Sequence, residues 1–206
     1  MGILNGTPDS FSDGGLYLKV SKAYKQANLM IKNGATIIDV GGESTRPGSK
    51  IINKINEWNR IKKIILKLRK NFKKALISLD TRKSHVMKEG IKNGVAMIND
   101  VSGLNFDKKS FDVINSKKIP FILHHMQGTP DTMQNNPKYD DVLIDIYDFF
   151  EKKINFLRSL GIKHNNIIID PGIGFGKNLK HNMNLINRIS IFHTLGFPVL
   201  VGNSRK

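Results

Sequence analysis

Asp170-Pro171-Gly172-Ile173-Gly174-Phe175-Gly176-Lys177 follows directly on the apolar run Asn166-Ile167-Ile168-Ile169, and the reading of these residues decides the fold. Consecutive apolar, β-branched positions predict a strand buried on both faces, as in a parallel sheet. The strand stops on a carboxylate. Pro171 and three glycines come next, and glycine lets the backbone approach a ligand closely or turn through positive φ. A buried strand delivering an acid to a glycine-rich loop is how α/β barrels and open sheets present chemistry at strand C-termini. Taken alone, the loop reads more simply as a tight strand-to-helix turn with Asp170 as the helix N-cap. Repetition of the pattern along the chain changes that balance.

Towards the C-terminus, a helix near Asn182 to Phe192 precedes a seventh strand, Pro198 to Gly202, which ends in Asn203-Ser204-Arg205-Lys206. Towards the N-terminus, a long helix from about Val142 to Leu160 follows a fifth strand, Ile119 to Leu123, that runs into His124-His125-Met126-Gln127-Gly128. The fourth strand is Ala96 to Asp100, with a short helix near Lys108 to Ser116 after it. The third is Ala75 to Asp80, followed by a helix from Lys83 to Asn93 that Gly94 ends. The second is Thr36 to Val40, followed by the loop Gly41 to Gly48 and a helix around Ile51 to Phe72. The first is Gly2 to Asn5, with a turn-rich loop from Thr7 to Gly15 and a helix from Leu16 to Asn33.

Strands alternating with helices predict parallel strands joined by right-handed crossovers. An open doubly wound sheet and a TIM (β/α)8 barrel both satisfy that alternation. Polar strand ends recur across the whole chain, whereas an open sheet gathers its ligands at one switch point. No strand is followed by G-x-G-x-x-G; Gly172-x-Gly174-x-Gly176 has the wrong spacing. The expectation is therefore a TIM barrel with seven strands in this chain, the eighth strand and its flanking helices missing.

At 206 residues the chain suits a single domain spanning residues 1–206. A complete barrel typically needs ~250 residues. No apolar run reaches the ~18 residues of a membrane span. The first strand begins almost at Met1, which predicts no signal peptide. Zero cysteines exclude a disulfide framework and a thiolate site, and fit a cytoplasmic protein. The formal net charge of +16 invites a nucleic-acid reading. Of the 33 basic residues 26 are lysine, spread along the helices rather than gathered in a patch, so a solvated basic surface explains the charge better.

Asn5, Asp80, Asn99, Asp100, His125, Asp170 and Lys206 stand at strand ends, and strand C-termini of a barrel share one mouth. Carboxylates, amides and a lysine form a donor and acceptor set suited to a flat nitrogen heterocycle. Simpler roles stand beside these: Asp39 as a stabiliser of loop amides, Asp100 as a cap, one histidine as a hydrogen-bonded strand end. His124-His125 has no partner at metal-ligand spacing, which speaks against zinc. Phe11, Arg46, Pro47 and Phe175 read either as loop packing or as a second, aromatic-lined pocket.

Met1-Gly-Ile-Leu-Asn-Gly-Thr-Pro-Asp-Ser-Phe-Ser-Asp-Gly-Gly15 resembles the N-terminal signature of the dihydropteroate synthase family. Ile38-Asp-Val-Gly-Gly-Glu-Ser-Thr-Arg-Pro-Gly48 is similar to its second signature. His125-Met-Gln-Gly128, Asp170-to-Lys177 and Ser204-Arg-Lys206 are similar to three more, in family order. Gly6 stands where the family usually has a larger apolar residue. The resemblance implies condensation of (7,8-dihydropterin-6-yl)methyl diphosphate with 4-aminobenzoate in folate biosynthesis, requiring Mg2+ and inhibited by sulfonamides. Carried over by position, it implies that Thr45, Asp80, Asn99, Asp170 and Lys206 bind the pterin diphosphate. It likewise implies an aminobenzoate pocket of Phe11, Arg46, Pro47, Phe175 and Ser204, with Asn5 binding Mg2+. No residue is assigned as general acid or base. A homodimer, small-molecule substrates and neither membrane nor nucleic acid as partner complete the expectation.

The chain ends before the family's last elements and their Arg-x-His segment, which predicts a fragment or truncated reading of a longer protein. The alternatives are a truncated, non-catalytic pterin binder and the pterin-binding barrel of corrinoid-dependent methyltransferases. The Ser-Thr-Arg-Pro loop and the Ser-Arg-Lys end argue against the latter.

Overall fold

A computed structural model describes residues 1–7, 16–44 and 49–202, the first three of the helix at 16 by backbone only. The chain divides into two compact units: Met1–Ser44 with Lys50–Asn99, and a second that runs from Asp100 onward.

The first unit contains β1 (Gly2–Asn5), α1 (Leu16–Lys32), β2 (Ile37–Gly41), α2 (Lys54–Asn71), β3 (Leu76–Asp80), α3 (Ser84–Lys92) and β4 (Met97–Asp100), whose last residue opens the second unit. All four strands are parallel and neighbour one another in chain order. Successive strand residues point to opposite faces, and this sheet uses the two faces differently. Leu4, Ile38, Val40, Ile77, Leu79 and Ile98 share one face and are almost completely buried. The helices carry the matching apolar residues. Ile61, Ile64, Ile65 and Leu68 recur at helical spacing on α2 and are buried, and Ala23 and Ala27 do the same on α1. Each such buried isoleucine or leucine side chain contributes roughly 1.5–3 kcal/mol. The other face carries Asp39, Ser78, Asp80 and Asn99. β2 and β3 therefore bury apolar residues on one face and carry polar ones on the other.

In the second unit, α4 (Ser110–Lys117), β5 (Phe121–His124), α5 (Val142–Ser159), β6 (Ile167–Asp170) and α6 (Leu179–Asn187) follow one another. β5 and β6 pair in parallel from Phe121↔Ile167 to His124↔Asp170. Phe121, Leu123, Ile167, Ile169, Ile146, Phe150 and Phe192 form its core. Phe150 meets Phe192 edge to face, with centroids 5.9 Å apart. The seventh strand run engages among the described residues through one parallel bridge, Ile169↔Val199. Ile169 N–H donates to Pro198 O (2.9 Å) and Leu200 N–H to Ile169 O (2.8 Å).

α6 begins three residues earlier than its apolar spacing suggests. Asn178 accepts from the His181 N–H (2.9 Å) while His181 Nδ1 accepts from the Asn178 N–H (3.3 Å), a reciprocal cap that fixes the start. The α-helix stops at Asn187, and Ile189–Leu195 is a 3-10 helix. Among the described residues no helix is long and apolar enough to cross a membrane.

Candidate active site

The strand ends of the first unit stand in one row. Register pairs Asn5 with Gly41, Gly41 with Asp80, and Asp80 with Asn99, so the three expected side chains leave the sheet side by side. The glycine between them makes room for the Asp80 carboxylate: a Cβ on Gly41 would lie 3.2 Å from Asp80 Oδ2. Asp39 lies two residues before Gly41 on the same face and accepts a hydrogen bond from Asn99 Nδ2 (2.9 Å). That bond fixes the amide, and leaves the buried Asn99 Oδ1 without a hydrogen-bond partner among the described residues. A buried acceptor left unmade is unfavourable, so a ligand N–H directed at it would relieve a deficit already present. Asp39 is thus an orienter of Asn99 as well as a strand residue. Asn5 is exposed at the end of β1.

Gly6, next after Asn5, donates its N–H to Gly41 O (2.7 Å). A Cβ there would stand 3.0 Å from Ile61 Cγ2 and 3.3 Å from Gly41 O, so this chain's packing is fitted to the glycine.

Behind the row lies a buried ionic cluster. Lys83 Nζ donates to Glu43 Oε2 (2.6 Å) and Glu57 Oε2 (2.5 Å), and Arg82 Nε to Glu43 Oε1 (3.0 Å). Thr81 Oγ1 donates to Glu57 Oε1 (2.5 Å), and the Ile52 N–H to Glu43 Oε2 (2.9 Å). Burial alone would raise the Glu43 carboxyl, but donors from Lys83 and Ile52 and the charges of Lys83 and Arg82 hold it below its ordinary range. Burial dominates at Glu57 and raises its carboxyl despite Lys83 and Thr81. The cluster ties three parts of the unit: the turn after β2, the first turn of α2 and the turn after β3.

In the second unit, Asp170 ends β6 opposite His124 in register. Its Oδ1 accepts the Gly172 N–H (2.8 Å). Burial raises its carboxyl to about 6, against the lowering effects of Gly172 and of the Lys177 charge. Gly172 has φ +70°, and a Cβ there would run into His125 O; Gly176 has φ +62°, with its Cβ 2.5 Å from Gln127 O. These glycines therefore serve close approach of two loops as well as backbone conformation. Phe175 sets its ring edge to face against His124, centroids 4.6 Å apart. Three side chains hold the loop from outside. Gln134 Nε2 donates to Gly174 O (2.8 Å), Tyr139 OH donates to Gly176 O (2.8 Å), and Asn182 Oδ1 accepts the Gly174 N–H (2.8 Å).

Lys177 closes the same loop. Only 2% exposed, it directs Nζ at Phe175 O (2.9 Å) and His125 Nδ1 (3.1 Å), with His125 O at 3.5 Å. Burial lowers its ammonium to about 7, although the Asp170 charge raises it. Burial and the neighbouring Lys177 and His124 hold His125 neutral, lowered to about 2.

Asn5, Asp80 and Asn99 are thus neighbours in one unit, and Asp170 and Phe175 belong to one loop in the other. Phe11, Thr45, Arg46, Pro47, Ser204 and Lys206 lie outside the described residues. Asp100 takes the capping role: its Oδ1 accepts from the Ser102 N–H (2.8 Å) and hydroxyl (2.6 Å). Among the described residues no group of three His, Cys, Asp or Glu is placed to hold a metal. A polar cavity of about 420 Å3 beside α6, lined by Tyr139, Asp141, Lys180, His181 and Arg188 among others, holds none of the expected site residues. Sequence reasoning missed Lys177, Glu57 and Lys83. Lys177 lies inside a recognised motif, but nothing in its type marks it as buried.

The family described as pterin binding enzyme matches residues 1–206. The dihydropteroate synthase of Escherichia coli strain K12 is 46% identical over 206 residues, which is all of this chain and 72% of that protein. The crystal structure of the Yersinia pestis dihydropteroate synthase in a sulfonamide drug complex superposes with a TM-score of 0.92 at 42% identity, covering 100% of this chain and 74% of that one. The Xanthomonas albilineans dihydropteroate synthase with 4-aminobenzoic acid gives 0.91 at 37% identity, covering 100% and 72%. The expected fold class, a partial (β/α)8 barrel, is that of these structures. With every residue matched and relatives above 40% identity, the chain belongs to the pterin-binding enzyme family, among its dihydropteroate synthases.

Proposed function

We propose that the residues described above condense (7,8-dihydropterin-6-yl)methyl diphosphate with 4-aminobenzoate, giving 7,8-dihydropteroate and diphosphate. The methylene–oxygen bond breaks as diphosphate leaves with its electron pair. The arylamine nitrogen forms the new bond to that methylene and releases a proton to solvent or diphosphate. An electron-rich ring disperses charge at the methylene, so orientation and stabilisation of the leaving group supply most of the catalysis. No general base is needed, and none is assigned.

The observation that carries the reading is the orphaned Asn99 Oδ1 in the polar strand-end row. In our proposal Asn99 and Asp80 accept pterin N–H groups, and the Asp170 carboxylate takes the paired donors of the amino-pyrimidinone edge. Lys206 addresses the ring, and Thr45 the diphosphate. Phe11, Arg46, Pro47, Phe175 and Ser204 form the aminobenzoate pocket. The amide oxygen of Asn5, exposed and hard, fits Mg2+, which keeps several waters and takes its other ligands from substrate phosphates. When bound, the ion would offset charge on the departing diphosphate. We further propose action in the cytoplasm, as one folded domain, and as a homodimer, which light scattering after size exclusion checks.

Chromatographic detection of dihydropteroate, from the purified chain with both substrates and Mg2+, tests the reaction. Formation above background supports it. Failure both of this chain and of one extended to the length of its relatives overturns it. For the site, Asp170→Asn should weaken dihydropterin binding about 100-fold, as loss of a charged hydrogen-bond pair does; unchanged binding would remove Asp170 from the pterin site.

A further inference from the structure

We propose that Lys177 is a positioning residue of the pterin site: its buried ammonium pins the 171–177 loop to the end of β5 and supplies a positive charge that favours the Asp170 carboxylate. The proposal rests on the reading of Asp170 as the pterin-gripping acid.

An ammonium has three donors and no acceptor. Three acceptors converge on Lys177 Nζ: Phe175 O, His125 Nδ1 and, at longer range, His125 O. Acceptance at Nδ1 places the imidazole proton on Nε2, so the lysine also selects the His125 tautomer. The loop it holds carries two proposed substrate contacts, Asp170 at its start and Phe175 within it. The side chains of Gln134, Tyr139 and Asn182, which hold the loop from outside, are neutral. Lys177 is thus the loop's charged tie among the described residues.

Its surroundings show why the charge matters. From β5 come His125, held neutral, with His124 behind it. From α6 comes His181, lowered by burial and by the charges of Lys177 and Lys180; Tyr139, raised by burial and by Asp145, stays protonated well above neutrality. Among these groups Asp170 is the carboxyl whose charge favours that of Lys177, and the influence is mutual. Without the ammonium, nothing offsets the desolvation of Asp170 except the Gly172 N–H. A protonated Asp170 would offer a donor where the pterin edge also offers donors.

Lys177→Met removes the charge and keeps the stem, whereas Lys177→Arg keeps the charge. Calorimetric titration with 6-hydroxymethyl-7,8-dihydropterin between pH 5 and 8.5 distinguishes them. Lys177→Met should move the acid limb of binding upward by about one pH unit, which weakens binding about tenfold at pH 5, below both midpoints, and about twofold at pH 7. Lys177→Arg should leave the limb in place. An unmoved limb in Lys177→Met overturns the proposal. Should that variant not fold, the unaltered protein decides by carbon NMR. The Asp170 carboxyl carbon must show a second step as the Lys177 ammonium titrates, and a single step overturns the proposal. Asp170→Asn separates the two ideas. If it binds dihydropterin normally, the pterin reading fails and takes with it the substrate named here, while the NMR coupling still decides whether Lys177 sets the charge of Asp170.

Discussion

Lys83 and Lys177 are both buried lysines that follow an aspartate at a strand end, and they are satisfied in opposite ways. In the first unit Lys83 meets two carboxylates at 2.6 and 2.5 Å. In the second, the acceptors within hydrogen-bond reach of Lys177 are an imidazole nitrogen and carbonyls. The difference separates two uses of a buried charge. A cation saturated by anions is a structural knot, because removing one partner strands the others. A cation held by neutral acceptors keeps a charge available to a neighbour that is not its hydrogen-bond partner. Burial lowers its ammonium to about 7, where small changes alter the charge state. The knot lies behind the row of Asn5, Asp80 and Asn99; the adjustable charge belongs to the loop of Asp170 and Phe175.

The comparison breaks first at the knot. Lys83→Met leaves Glu43 and Glu57 facing each other without their shared cation, and should lower stability by about 3–5 kcal/mol. Chemical denaturation at pH 7 measures it. A loss below about 1 kcal/mol would show that Arg82 and Thr81 suffice. In that case the two lysines would not differ in kind.

Next is the alkaline limb of stability. The Lys177 pKa is about 7 in the folded protein against 10.5 for an ordinary lysine. Between those values the unfolded chain holds a proton that the folded one has released, so stability rises with pH. The slope approaches 1.4 kcal/mol per pH unit, about 2–3 kcal/mol between pH 7.5 and 9.5. Lys153, also lowered by burial, adds in the same direction. Above pH 10 the raised Tyr139 acts oppositely. Lys177→Met should flatten most of the rise. An equally steep limb in that variant would assign the slope elsewhere.

Two carboxyls, Glu43 and Asp170, give the third contrast, with shifts of opposite sign. Glu43 is held below its ordinary range, so its contribution is present above that range and lost as pH falls through its folded value. Glu43→Gln should therefore destabilise the protein at pH 7, by about 1–3 kcal/mol. Asp170 is raised from 3.8 to about 6, so its ionisation opposes folding once pH exceeds its ordinary value. Asp170→Asn should stabilise the free protein at pH 8 by about 1–2 kcal/mol while weakening dihydropterin binding. Thermal melts of the two variants at one pH suffice; shifts of the same sign would erase the contrast.

Much of this frame was legible before the structure. The run Ile167-Ile168-Ile169-Asp170 announces a strand and its functional end, because burial selects β-branched residues and a buried carboxylate there needs a reason. The glycines of the next loop announce close approach, and the approaching atoms are the backbone of the loop after β5. What stayed hidden depends on register. Asp39 and Asn99 lie 60 residues apart, and their hydrogen bond exists because two parallel pairings align their strands. The knot joins Glu43, Glu57 and Lys83, whose spacing has no helical or strand period. Lys177 was hidden by abundance, since among 26 lysines a buried one has no mark of its own. The start of α6 was readable in principle: Asn178 followed three residues later by His181 is a cap whose second partner is an unusual residue type.

The smallest expected effect supplies the control. Lys92 and Glu89 form an ion pair of 3.0 Å on α3, as short as the Arg82–Glu43 contact, but the lysine side chain is 69% exposed. Distance alone would rank the two contacts equal. Solvent decides otherwise, because water and salt screen an exposed pair and holding two long side chains in one geometry costs entropy. Lys92→Ala should change stability by less than about 0.5 kcal/mol, with any effect falling as salt is raised. Lys83→Met should respond little to salt, since its partners are dehydrated. Parallel salt series on the two variants make burial the variable. If Lys92→Ala were as damaging as Lys83→Met, contact geometry rather than desolvation would govern both, and the separation between knot and adjustable charge would have no physical basis.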